Sequence, residues 1–240
     1  AAARLDPGAR FTAFVVDEAQ DFADSWWPAL FAAAASDSFR LAVFRDDEQS
    51  VFHERRGRPE LPMVPLVLDE NLRNAQQIVD TFRPLIHAEV VSRGGDGYPV
   101  EFVDCDEADV VSRADDVVEA LVQQRGWLPE QVALLTTKHR HPVQIERSVD
   151  KTEYWHDLWF TDDVFYATVA GFKGLERSVV VLAVDGFHDG IDPASVLYSG
   201  MSRARDLLVV VGPAAVLREV LGDKTVRRLE RGAQQTNEPS

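Results

Sequence analysis

Short apolar runs alternate along this chain with longer amphipathic stretches. Phe14-Val15-Val16 ends in Asp17-Glu18, and Leu41-Ala42-Val43-Phe44 is followed by Asp46-Asp47. Further apolar runs cover 64–68, 100–103, 132–136, 164–169, 179–184 and 207–211. Runs this short and this continuously apolar predict strands covered on both faces, hence a parallel sheet. Between them, Val110, Ala114, Val117, Val118 and Leu121 mark one face of a helix that Gly126 stops before Pro129. A second helix is predicted over 71–86, with Ile78, Val79, Phe82 and Leu85 inward, and two more over 195–205 and 214–221. Strand alternating with helix predicts an α/β sheet joined by crossovers, with ligands at the carboxyl ends of its strands.

The Gly- and Pro-rich stretch 57–65 places a boundary near Met63. Residues 1–63 hold two strands, too few for an independent sheet, and read as the end of a domain whose beginning lies upstream. Residues 64–222 can form a six-stranded unit, and the polar stretch 223–240 reads as a disordered tail. The 45% hydrophobic content is enough for a packed core without staples. A single cysteine, Cys105, allows no internal disulfide, which with the lack of a signal peptide points to the cytoplasm. No apolar run is long enough to span a bilayer, so no membrane partner is expected. The net charge of -15 argues against nucleic acid as a partner unless basic groups gather locally. The one dense basic run is His53-Glu54-Arg55-Arg56-Gly57-Arg58, which on its own reads as a solvated loop.

Chemistry is suggested by what stands at the ends of the strands. In "VVDEAQDF" the strand end sets two carboxylates side by side. There Asp17 can hold a Mg²⁺ bridging ATP phosphates and Glu18 can activate a water. Four more strings follow: "AVFRDDEQSVF", "LDENLRNAQQIV", "YATVAGFKGLERSVVVL" and "LYSGMSRARDLLVVVG". Each has a plainer reading. Asp-Glu pairs are mostly surface carboxylates, Gln49 alone would be a surface residue, and Arg73 could simply pair with Asp69 or Glu70. His139 and His141 lack a third ligand at metal spacing and read as loop residues. Tyr154, Trp155, Trp159 and Phe160 could stack bases but read more simply as a satellite hydrophobic cluster. Trp26 and Trp27 read as packing for the helix that follows "DEAQD".

Taken in order, the five strings resemble motifs II to VI of superfamily 1, UvrD/Rep-like DNA helicases, over about residues 12 to 213. "FKGLE" before a buried strand is the most specific of them. The resemblance implies a RecA-like parallel α/β sheet of the P-loop NTPase type, helices on both faces, with one complete second domain plus the end of the first. It implies ATP and Mg²⁺ as cofactors and single-stranded DNA as partner, RNA not being excluded. Asp17 would hold Mg²⁺, Glu18 would activate water, and Gln20 would link that site to the next motif. Gln49 would sense the γ-phosphate, with Arg73 and Arg203 reaching it from the second domain, Arg203 as an arginine finger on a helix. Arg205 would face elsewhere on that helix in a structural role. Gly174 would provide a sharp turn and Glu176 would reach the ribose. Phe52, Arg55 and Thr168 would lie on the DNA side. The chain departs from the family pattern at Glu54, where an aromatic is usual, and at Ala170, where a histidine is usual.

No GxxxxGK[ST] phosphate loop occurs. The chain is therefore expected to be the C-terminal part of an ATP-dependent DNA helicase, completed by a missing N-terminal segment and inactive on its own. The alternatives are a non-catalytic helicase-like interaction or regulatory module and a DNA-repair nuclease subunit that keeps this core as a motor.

Overall fold

The computed structural model describes residues 6, 9–46, 48, 57–87 and 89–236, with side chains for all of these except 151, 153 and 231–236. The chain forms two compact units that divide between Val67 and Leu68, rather than at Met63. In the first unit β1 (Ala13–Val16) pairs in parallel with β2 (Arg40–Val43), and α1 (Trp26–Phe31) connects them. Phe14 and Val16 are buried but Val15 is exposed, so this strand is covered on one face and not on the two expected. Phe14 packs on Ala33 and Ala34, while Val16 packs on Ala19 and Trp27. The two tryptophans therefore part company: Trp27 enters the core and Trp26 stays half exposed.

The second unit begins with β3 (Glu70–Asn71), α2 (Gln76–Phe82) and β4 (Val91–Ser92), β3 and β4 forming a small parallel pair. Its main sheet then assembles from β5 (Glu101–Asp104), β6 (Val132–Thr136), β7 (Phe165–Thr168), β8 (Arg177–Ala183) and β9 (Ala204–Gly212). The strand order is β5-β9-β8-β6-β7 and every pairing is parallel. The connections carry α3 (Val110–Gln123), α4 (Pro142–Arg147), α5 (Lys151–Phe160) and α6 (Pro193–Met201), and α7 (Ala214–Leu221) and α8 (Asp223–Thr236) follow β9. This is the expected α/β architecture, a parallel sheet with helices on both faces and consistent with a RecA-like fold. No helix among the described residues is long and apolar enough to cross a membrane.

The period-2 rule explains why the central strands read as unbroken apolar runs. On β8, Val180 and Leu182 enter one cluster with Ile78, Phe82, Leu197 and Leu217. Val179, Val181 and Ala183 enter a second cluster on the opposite face with Val110, Ala114 and Leu121 of α3. Each fully buried Val or Leu contributes about 1.5–3 kcal/mol, so these central strands dominate the unit's cohesion.

Four expectations fail locally. The run 64–68 forms no strand, and Val64, Leu66, Val67 and Leu68 are exposed. Pro62 and Pro65 remove backbone donors there, which disfavours a ladder. The main sheet accordingly has five strands and not six. The helix expected from 71 starts only at Gln76, because the Asn71 side chain accepts from the backbone N–H groups of Arg73 and Asn74 and holds them in a turn. The helix expected over 195–205 ends at Met201, so Arg203 lies in a turn and Arg205 on β9. Finally, 223–236 is helix α8 and no tail: Val226 and Leu229, three residues apart on one helix face, are buried in the main core.

At the carboxyl end of the main sheet the buried Asp185 closes the loop after β6. It accepts hydrogen bonds from the backbone N–H groups of Thr137, Lys138 and His139, at 3.0, 2.8 and 2.9 Å, and from the Thr137 hydroxyl at 3.1 Å. Replacing Asp185 by Ala strands those donors, and the expected loss is about 2–4 kcal/mol, read as a lower urea midpoint. An unchanged midpoint would mean that the loop is held by other contacts.

Candidate functional site

In the first unit the carboxyl end of β1 delivers Asp17 and Glu18. Glu18 adopts φ 50, ψ 39, and is the one non-glycine residue with positive φ among the described residues. That conformation costs of order 1–3 kcal/mol, and such strain clusters at functional positions. It reverses the chain into the 3-10 turn Ala19–Asp21 and drops Gln20 into the interior. The Gln20 amide donates from Nε2 to Glu18 Oε2, while its Oε1 accepts from the backbone N–H of Asp46 at 3.0 Å. Ala19 N–H donates to Phe44 O at 2.9 Å. The carboxylate after β1 is thus tied to the segment after β2 through one buried amide.

Asp17 is exposed, and its Oδ1 accepts from the Glu18 N–H at 2.9 Å. Among the described residues no group of three or more His, Cys, Asp or Glu could hold a metal ion. An accessible carboxylate such as Asp17 does fit a Mg²⁺ that arrives on phosphates, since that ion keeps its waters and takes only one or two protein carboxylates. Gly57 presses on this turn at φ +60, where an added Cβ would meet Ala19 O at 2.4 Å and Gln20 Cα at 2.7 Å. Gln49, Phe52 and Arg55, the remaining candidates of this unit, lie outside the described residues.

In the second unit the candidates separate onto opposite edges of the sheet. Thr168 ends β7 at the carboxyl edge, where its Oγ1 accepts from Gly171 N–H at 3.2 Å and Val169 N–H donates to Thr136 O at 2.9 Å. Glu176 directly precedes β8 and therefore stands at the amino edge. The segment 169–176 joins the two edges, with Val169 and Phe172 buried and Gly174 turning at φ +76.

Arg73 and Arg205 meet Glu176 at the amino edge. Arg73 Nε lies 2.7 Å from Glu176 Oε2, and Arg205 Nη1 lies 3.7 Å from Glu176 Oε1. All three are accessible, at 44%, 51% and 39% side-chain exposure for Arg73, Arg205 and Glu176. The plainer reading of Arg73, a pair with Asp69 or Glu70, does not hold for Glu70, whose Oε1 accepts from Arg93 at 3.0–3.1 Å. Arg203, expected on a helix and aimed at a cleft, is 1% exposed. Its Nε donates to Ser199 O at 2.9 Å, its Nη1 to Leu175 O at 3.3 Å and its Nη2 to the Ser202 hydroxyl at 3.2 Å.

Two residues that position this edge were not singled out from sequence. Asn71 Nδ2 donates to Asn74 Oδ1 at 2.9 Å, and the buried Asn74 donates from Nδ2 to Ser202 O at 2.9 Å and Ala204 O at 2.5 Å. Ala75 N–H adds a bond to Arg205 O at 2.8 Å. The repeated Asn in "ENLRN" was the available signal, because Asn beside a helix start bonds backbone.

The two histidines have ordinary partners, and the aromatic candidates divide between core and surface. His139 Nδ1 lies 3.1 Å from Asp185 Oδ2. His141 is buried, its Nδ1 accepting from Val143 N–H at 3.2 Å and its Nε2 facing Asp115 at 3.2 Å. On α5, Tyr154 and Leu158 enter the core, whereas Trp159 and Phe160 remain exposed and belong to no buried cluster.

Two substitutions test these placements. Gly57→Ala should destabilise the first unit by more than about 1 kcal/mol, because it combines a disfavoured φ with a backbone clash. Arg203→Met should lower thermal stability, since carbonyls at Leu175 and Ser199 lose a buried cation. A melting temperature equal to that of the parent chain for either variant would contradict the packing described.

Comparison with protein-family models gives no match, and comparison with curated proteins gives none either. Among solved structures the chain is similar to the C-terminal domain of a possible DNA helicase from Lactobacillus plantarum WCFS1, at 19% identity and TM-score 0.40, over 65% of this chain and 92% of that one. It is also similar to the PRRSV helicase, at 15% identity and TM-score 0.47, over 86% of this chain and 36% of that one. The chain thus spans about a third of the length of the second protein. At these identities and scores no activity is transferred from either.

Proposed function

We propose that this chain is the motif II to VI part of an ATP-dependent motor of the superfamily 1, UvrD/Rep-like helicase type, which couples ATP hydrolysis to movement on single-stranded DNA. The observation that carries the reading is the meeting of two motif residues far apart in sequence, Arg73 and Glu176, as an accessible ion pair 2.7 Å long. The tie from Glu18 through Gln20 to the Asp46 backbone supports it independently.

The chemistry assigned to these residues is phosphoryl transfer to water. The water oxygen bonds to the γ-phosphorus, the bond from that phosphorus to the bridging oxygen breaks, and the water proton passes to Glu18. Gln20 occupies Oε2 and fixes the carboxylate, which leaves Oε1 to accept the proton. When bound with the nucleotide, Mg²⁺ neutralises phosphate charge, and Asp17 is the residue that would hold it. Arg73 supplies an accessible guanidinium for a γ-phosphate oxygen. Arg203, buried on the carbonyls of Leu175 and Ser199, serves the same edge as a positioning residue. Thr168 stands on the opposite edge for the nucleic-acid backbone, with Phe52 and Arg55 as further contacts to it, and Gln49 senses the γ-phosphate.

Single-strand-stimulated ATP turnover by the full-length polypeptide that carries this sequence is the test. Glu18→Gln should lower turnover by about 100-fold or more while leaving ATP binding in place. The 240-residue chain alone, which lacks the phosphate loop, should show none. ATP binding without turnover in the full-length polypeptide would favour a non-catalytic module, and turnover indifferent to Glu18→Gln would end the assignment.

A further inference from the structure

The amino edge of the second unit holds two arginines on one carboxylate, and the framework behind them is unusually fixed. Asn74, buried and bonded to Ser202 O and Ala204 O, pins the loop bearing Arg73 to the turn that leads into β9. Ala75 N–H bonds Arg205 O itself. Both arginine backbones are therefore set in register by hydrogen bonds that do not involve Glu176. Their side chains nevertheless converge, Arg73 Nε on one carboxylate oxygen and Arg205 Nη1 on the other. The local sum is one positive charge, in a chain whose total is -15.

An ion pair this accessible contributes little to stability, because water solvates the separated ions almost as well. Two guanidiniums straddling a carboxylate are also a geometry that suits other oxyanions, since carboxylate and phosphate present similarly spaced oxygens to an arginine fork. We infer that Glu176 is an exchangeable stand-in for a phosphate group: its carboxylate lies between Arg73 and Arg205 in the place that a terminal phosphate of a polyphosphate takes, which makes Arg205 a second phosphate-binding residue. This rests on the nucleotide-motor reading and extends it, because the second accessible cation at this edge is Arg205 on β9, whereas Arg203 is spent on internal carbonyls. Arrival of the phosphate releases Glu176, whose carboxylate is then free to accept from a hydroxyl donor.

Inorganic tripolyphosphate is the probe, titrated into the ¹⁵N-labelled 240-residue chain while the Nε–H signals of Arg73 and Arg205 are followed by NMR. Both signals should move together along one binding curve. Arg73→Ala and Arg205→Ala should each weaken binding by about threefold to tenfold, as expected for losing one accessible charge contact. Glu176→Gln should tighten it by about threefold, because it removes the competing carboxylate while keeping the side chain's shape. An Arg205→Ala variant that binds like the parent, or a Glu176→Gln variant that binds no tighter, overturns the inference. So does a single-stranded oligonucleotide that displaces tripolyphosphate from these arginines, since the site would then be a backbone contact. ATP turnover separates this from the broader assignment. Turnover in the full-length polypeptide that depends on Glu18 but is indifferent to Arg205→Ala removes Arg205 and leaves the motor. Arg205-dependent tripolyphosphate binding in a polypeptide without turnover removes the motor and leaves the anion site.

Discussion

Burial of the central strands on both faces is the constraint from which the rest of the second unit follows. A parallel sheet cannot close on itself by tight hairpins, so every connection must cross a face, and those crossings cover both sides. Val179 to Ala183 of β8 and Leu207 to Val211 of β9 lose nearly all contact with water, and their side chains are committed to packing. Only the two ends of the strands remain for chemistry. The polar residues of this unit accordingly gather at those ends, Thr136, Thr168 and Asp185 at one and Arg73, Glu176 and Arg205 at the other.

The amino edge shows how a fold can hold charge at the surface without depending on it. Asn71 and Asn74 satisfy backbone groups that neither the helix nor the strand reaches, and Asn74 does so from a fully buried position. A buried amide with its partners in place is costly to disturb, because each orphaned group would keep its desolvation penalty. The ion pairs above it are interchangeable by comparison. Stability resides in neutral hydrogen bonds, and the charges are left available for exchange. Arg203 illustrates the opposite choice: its charge is drawn inward and distributed over carbonyl oxygens.

Much of this architecture was legible from the sequence because central parallel strands leave a strong signature. The runs at 132–136, 179–184 and 207–211 and the helix face Val110, Ala114, Val118, Leu121 all lie where the pattern put them. The run at 64–68 looked the same by composition, yet apolar character does not supply a neighbouring edge, and two prolines withhold donors. The helix α8 was hidden for the converse reason, since Val226 and Leu229 are few among polar residues and only the core they meet gives them meaning. For the candidate site, the resemblance to helicase motifs singled out Asp17, Glu18, Gln20, Arg73 and Glu176 as residues of interest. It could not say that Arg203 would turn inward while Arg205 stayed accessible. That outcome depends on where α6 stops, and a helix end is set by local capping more than by periodicity.

The segment 169–176 has a consequence for how this chain can vary. It leaves the sheet at Thr168, is anchored midway by the buried Val169 and Phe172, and re-enters at Arg177. Beyond it, β8 presents alternate residues to two different cores. A one-residue slip of β8 against its neighbours would therefore turn all of its side chains to the wrong layer. The two cores thus fix the register of β8 from Arg177 onward, and any change of length falls to the exposed Ala170, Gly171 and Gly174 of the connection before it.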